Sequence, residues 1–230
     1  MKYAALALSA LLGITSCGTP APHAGEAPVL RPSDVADFRL LYGQNCSGCH
    51  GVDGQGGLSV PVGDPVYLAI ADDSTIRRIT AEGVPRTAMP AFAQASGGML
   101  TNAQIDILVR GIRARWAKPD AFKKDRPPAY AASQAGDAAR GHNVFSASCS
   151  SCHSSDGRSG RAIADGSYLR LVSDQHLRTV VITGMPHLGM PDWRHHGEPL
   201  SDADVTDVVA WLVSQRMTFL SQLNHPGGSE

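Results

Sequence analysis

Cys46-Ser47-Gly48-Cys49-His50 returns further along the chain as Cys149-Ser150-Ser151-Cys152-His153. Two cysteines separated by two residues and followed at once by histidine form the attachment signature of a covalently bound c-type haem. Each thiol adds across one vinyl group of the porphyrin, and the adjacent imidazole is placed to ligate the iron. Cys-x-x-Cys alone also suits half of a zinc site or a thioredoxin-like redox pair. Two copies, each completed by His and separated by a domain's length of chain, weigh against both, because a zinc ribbon needs its pairs beside one ion. The sequence therefore predicts two covalently bound haem c groups, one held by Cys46 and Cys49 with His50 on the iron, the other by Cys149 and Cys152 with His153.

The fifth cysteine has a different setting. Lys2 precedes an apolar run through Leu12 and Gly13, then Ile14-Thr15-Ser16-Cys17. That pattern is an export signal, and its apolar run is shorter than the ~20 residues of a spanning helix. Leu11 to Cys17 resembles a bacterial lipoprotein signal, in which cleavage before the cysteine leaves it as a lipidated N-terminus. Cys17 is the expected lipidation site, and its multiple acyl chains supply the anchoring that stable membrane attachment requires. With Cys17 lipidated and four cysteines on haem, none remains for a disulfide, so haem and helix packing must hold the domains together.

Length and charge set bounds. The 230 residues suffice for two small domains, and a formal charge of -1 with no concentrated basic patch gives no nucleic-acid footprint. Residues 1–16 read as signal peptide, 17–32 as a Pro- and Ala-rich extended tether, 33–117 and 135–220 as two domains, 118–134 as the linker between them, and 221–230 as a tail. Basic residues from Arg110 to Arg126, interrupted by Asp120 and Asp125, read first as a solvated face.

Aligning the halves on their Cys-x-x-Cys-His units exposes an internal repeat. Gly83-Val84-Pro85-Arg86-Thr87-Ala88-Met89-Pro90-Ala91-Phe92 matches Gly184-Met185-Pro186-His187-Leu188-Gly189-Met190-Pro191-Asp192-Trp193. Each half also ends in an amphipathic helix. Thr101 and Gln104 form a capping box before Ile105, Leu108, Val109 and Ile112, and Ser201 precedes Val205, Val208, Val209 and Leu212. Gly54-Gln55-Gly56-Gly57 reads as a turn after the first attachment motif.

These features resemble class I cytochromes c, from about Val35 to Trp116 and again from about Gly136 to Met217. The resemblance implies an all-α fold of two tandem cytochrome c-like domains, each wrapped around one haem. Gly136 to Gly141 with Phe145 is similar to the family's first helix, where a glycine lets the terminal helices cross closely, and Trp211 sits where the family places an aromatic on its last helix. The first half departs from this pattern, with Phe38 where Gly141 stands and Gly111 where Trp211 stands. The expectation is that large and small have exchanged helices while the crossing is kept.

The sixth iron ligand separates an electron carrier from a catalyst, since an iron filled on both faces passes electrons and an open one binds a substrate or gas. Met89 and Met190, in matched Gly-x-Pro-x-x-x-Met-Pro loops, are the expected ligands, each presented by a loop that the following Pro restricts. For the first haem the other soft candidate is Met99. The second half leaves more open, with Met185, His176, His187, His195 and His196 also near in sequence.

The resemblance implies a membrane-tethered dihaem cytochrome c on the periplasmic face of a bacterial membrane, within the cell envelope. It would transfer electrons between a quinol-oxidising complex and a terminal oxidase, or another cytochrome, with no catalytic residues of its own. The alternatives are an oxidoreductase similar to thiosulfate dehydrogenases or peroxidases, using an accessible second haem, and a haem-based gas or redox sensor.

Overall fold

A computed structural model of the protein describes residues 30–57, 59–122, 125–153, 163, 166–196 and 198–224. The signal, Cys17 and most of the tether lie outside the described residues, as do residues 225–230 of the tail. Short polar side chains start the helices of the first half. Asp37 caps α1 (Phe38–Asn45) by accepting from the Leu40 amide, and α1 runs through Cys46 into a single turn, α2 (Ser47–His50). Asp64 caps α3 (Pro65–Ile70), Asp72 caps α4 (Asp73–Glu82), and Thr101 and Gln104 form a complete capping box on α5 (Asn102–Trp116).

The second half repeats the plan. Asp137 caps α6 (Ala138–Ser148), which leads into α7 (Ser150–His153). α8 (Gly166–Leu169) follows, then α9 (Asp174–Thr183) capped by Ser173, and α10 (Asp202–Asn224). Ser201 and Asp204 exchange hydrogen bonds at the start of α10, an acidic version of the capping box. The helix continues to Asn224. Among the described residues the secondary structure is helical apart from two isolated bridges, and no helix is long and apolar enough to cross a membrane.

In each half the first helix crosses the last. At Gly141 an added Cβ would lie 1.9 Å from the Asp207 carbonyl oxygen and 3.0 Å from the Trp211 Cβ, so only glycine permits this approach of α6 to α10. Trp211 then packs on Phe145, with ring centroids 4.3 Å apart. In the first half the exchange of sizes is realised, because a Cβ on Gly111 would lie 2.1 Å from the Phe38 ring. Phe38 also meets Trp116 edge-on at 5.8 Å. Gly111→Trp is expected to destabilise the protein by about 1–3 kcal/mol through overpacking, with part of the loss recovered when Phe38→Gly is added. Denaturant unfolding of the two variants measures it, and a neutral single variant would contradict the packing.

The halves share apolar packing through α3. Its Tyr67 and Leu68 belong to the first core, with Leu41, Ile105, Leu108 and Ile112, whereas its Val66 is buried in the second core with Leu177, Ile182 and Val205. The linker is strapped to the second half. Arg178 on α9 is 3% exposed and donates to the carbonyls of Ala129 and Tyr130, to the Thr206 hydroxyl and to Asp202. Gln175 donates to the Tyr130 carbonyl, and the Ala129 amide to Asp202. A buried guanidinium stays charged without great cost only when its donors are satisfied in this way, which fixes the path of the linker.

Candidate haem sites

The attachment motif folds the same way twice. Cys46 and Cys149 end α1 and α6, their amides donating to Tyr42 and Phe145, and their carbonyls accept from the amides of His50 and His153. One helical turn therefore carries both cysteines and the histidine. In each pair the first cysteine is half-buried and the second exposed. As free thiols, before any attachment, Cys46 is pushed up to about 12 by burial and then by the neighbouring Cys49, and Cys149 up to about 11 by burial and then by Cys152.

His50 is 9% exposed and its Nδ1 lies 2.8 Å from the Val60 carbonyl oxygen. A carbonyl only accepts, so Nδ1 carries the proton and Nε2 presents its lone pair. Burial lowers the pKa of His50, opposed by the Val60 bond, so the ring is held neutral, the form that binds a metal. Behind it, the Tyr42 hydroxyl donates to the Gly51 carbonyl at 2.9 Å. The Gly-rich turn folds back on the motif, and a Cβ on Gly57 would lie 2.1 Å from the Cys49 carbonyl oxygen. His153 is half-buried, and residues 154–162 after it lie outside the described residues.

The methionine loops also match. Gly83 (φ 69°) and Gly184 (φ 66°) end α4 and α9, and a Cβ on either would lie 2.7 Å from the carbonyl oxygen of Met89 or Met190. The left-handed backbone and the missing side chain together let each loop close against its own Met-Pro. The Val84 and Met185 amides donate to those same carbonyls, each at 3.0 Å, and Phe92 and Trp193 then donate back to carbonyls of α4 and α9. Met89 and Met190 thus occupy equivalent, half-buried places.

The other candidate ligands are placed differently. Met99 is 79% exposed. His187 is exposed on a short turn, and His195 is exposed with Nδ1 2.9 Å from Asp192. His176 belongs near the first half's motif, since its pKa is lowered by burial and then by His50. Met185 is half-buried at the other end of the Met190 loop. Among the described residues, no three His, Cys, Asp or Glu side chains are grouped to hold a bare metal ion. Among the described residues, two buried side-chain nitrogens have no protein partner, Trp193 Nε1 and His196 Nε2, both in the segment that follows Met190.

This donor set fits haem c, with paired thiols on one turn, a neutral imidazole whose second nitrogen is oriented by a carbonyl, and a clamped thioether loop. The family described as cytochrome c oxidase, cbb3-type, subunit III matches residues 33–110 and again residues 136–212. The chain belongs to this family. It is a c-type cytochrome of two tandem domains, and the family's haem c is covalently bound. The chain is 24% identical over 227 residues to the cytochrome bc1 complex cytochrome c subunit of Mycobacterium tuberculosis, covering 97% of this chain and 76% of that one. It is 28% identical over 130 residues to the cbb3-type cytochrome c oxidase subunit CcoP of Azospirillum sp., covering 52% and 39%. A solved chain of a Kuenenia stuttgartiensis reducing HAO-like protein complex superposes with a TM-score of 0.45 at 19% identity, over 77% of this chain and 94% of that one.

The sequence offered His196 among the candidate ligands of the second half but did not point to Val60 or Arg178. For Val60 a signal existed, because Pro61 restricts the residue before it to extended backbone and so aims its carbonyl. For Arg178 the partners lie too far along the chain to be read from local pattern.

Proposed function

We propose that the protein carries two haem c groups and, anchored to the periplasmic face of a bacterial membrane by lipid on Cys17, passes electrons between membrane-bound redox complexes. Cys46, Cys49, His50 and Met89 would hold the first haem, and Cys149, Cys152, His153 and Met190 the second. The observation that carries this reading is the repetition, in both halves, of the attachment turn and the glycine-closed methionine loop. The named relatives, a bc1-complex subunit and a cbb3-oxidase subunit, support a place between a quinol-oxidising complex and a terminal oxidase, or beside another cytochrome. A lipid tether suits that role by raising the local concentration near such partners.

When bound, the haem supplies one-electron chemistry as its iron alternates between ferrous and ferric. The chain's residues keep that alternation cheap in structural terms. The Val60 carbonyl fixes the His50 ring, and the closures at Gly83 and Gly184 fix the loops bearing Met89 and Met190. Thioether ligation favours the ferrous state and raises the potential. Outer-sphere transfer then needs an exposed haem edge and a suitable potential, and no proton-transferring side chain.

The test is carbon monoxide added to the dithionite-reduced protein. An unchanged absorption spectrum is expected, because Met89 and Met190 would close both irons. A shift in about half of the haem would overturn the carrier reading in favour of an oxidoreductase or gas sensor with one open iron.

A further inference from the structure

The segment after each methionine makes an excursion closed by a backbone hydrogen bond, Leu100 N–H to the Phe92 carbonyl in the first domain and Leu200 N–H to the Trp193 carbonyl in the second. In the first domain backbone bonds alone hold this excursion, the Ala93 amide donating to the Ala81 carbonyl of α4 and the Gln94 amide to the Leu100 carbonyl. Ser96 and Gly98 donate to the Ala93 carbonyl and Gly97 to that of Gln94, a short turn that Gly97 and Gly98 complete. In the second domain the corresponding stretch is Arg194-His195-His196, and each side chain is tied down. Arg194 binds the Asp192 carboxylate with Nη2 at 2.6 Å and stacks on the linker ring of Phe122, its guanidinium carbon 5.2 Å from the centroid. His195 binds Asp192. His196 reaches across to the attachment turn, with Nδ1 3.3 Å from the carbonyl oxygen of Ser148, the residue before Cys149.

We infer that His196 is a positioning residue that clasps the segment following Met190 to the Cys149 turn and so keeps the second haem's sixth ligand in place, a constraint for which the first domain uses backbone hydrogen bonds and a short glycine turn. This rests on the reading of Cys149, Cys152, His153 and Met190 as a haem site. Ser148's carbonyl can only accept, so Nδ1 carries a proton and is the donor of this bond. The ring's Nε2 is buried without a protein partner. An orphaned buried nitrogen is costly in a finished interior, and this one belongs to a ring bonded to the residue before Cys149, beside the turn that would hold the second haem. The clasp ties two segments that the chain separates by 48 residues.

The measurement is displacement of methionine from the ferric holoprotein by imidazole, followed as loss of the thioether-to-iron charge-transfer absorption. Two phases are expected, and the one missing from a Cys149→Ser/Cys152→Ser variant belongs to the second site. It should be the slower phase in the unaltered protein. His196→Ala should speed it about tenfold, the rate equivalent of one hydrogen bond, and leave the other phase as it was. His196→Asn, whose amide can donate to the Ser148 carbonyl, should restore most of the difference. An unchanged second phase in His196→Ala overturns the clasp, and so does an Asn variant that behaves like Ala. A single phase in the unaltered protein, unaffected by loss of Cys149 and Cys152, overturns the two-haem reading and the clasp with it.

Discussion

Serine at both Cys149 and Cys152 is expected to leave a protein with half the covalently bound haem of the unaltered chain, measured as haem per polypeptide after denaturation. A serine hydroxyl is a far weaker nucleophile toward a vinyl group than a thiol, so attachment at the second turn ends. The first site should keep its haem, because the hydrogen bonds that hold its attachment turn and its histidine lie within the first half. The Cys46 amide is bonded to Tyr42, His50 to Val60, and the Gly57 backbone rests on Cys49. The reciprocal variant, Cys46→Ser with Cys49→Ser, should lose the other half. Full haem content in either would refute the assignment of that turn, and complete loss in one would show that attachment at the two turns is interdependent.

Removing a thioether has the next largest effect. Met89→Ala should open the first iron, so that the reduced protein binds carbon monoxide at about half of its haem and the potential of that haem falls. No other described residue of the first domain offers a comparable ligand, since Met99 lies on the surface at 79% exposure. Met190→Ala should act likewise on the second iron. The Met190 loop is closed by paired hydrogen bonds between Met185 and Met190, at 3.0 and 3.2 Å, which present the two sulfur-bearing residues from one small ring of backbone. A Met190→Ala protein with unaltered spectrum and potential would place another side chain on that iron.

Much of the fold and site was legible in the chain, and the legible parts are local. The caps at Thr101 and Ser201 each act within three residues. The attachment turns are five residues long, and the methionine loops are closed by glycines a few residues away. Even the exchange of Phe38 and Gly111 could be inferred, because the two repeats of one plan expose a substitution that neither shows alone. The linker was harder. Lys118 to Gln134 reads as a charged, Pro-rich spacer, yet Ala129 and Tyr130 are held by Arg178 and Gln175, whose place on α9 reads simply as a polar face. Arg178 is nearly 50 residues from the backbone it binds, and no periodicity points there.

By itself, then, the sequence determined the cytochrome c family with its covalently bound haem c, the two-domain repeat and the helical class, because these depend on covalent spacing and on contacts within a turn or two of helix. Only the tertiary structure decided that α3 gives Val66 to the second core and Tyr67 to the first, that the linker is strapped down by a buried guanidinium, and that His196 rather than its exposed neighbours faces the second attachment turn. Those choices join residues far apart in the chain. They are settled when apolar surface and polar groups leave water together, and each buried donor must then find an acceptor wherever the packing has brought one.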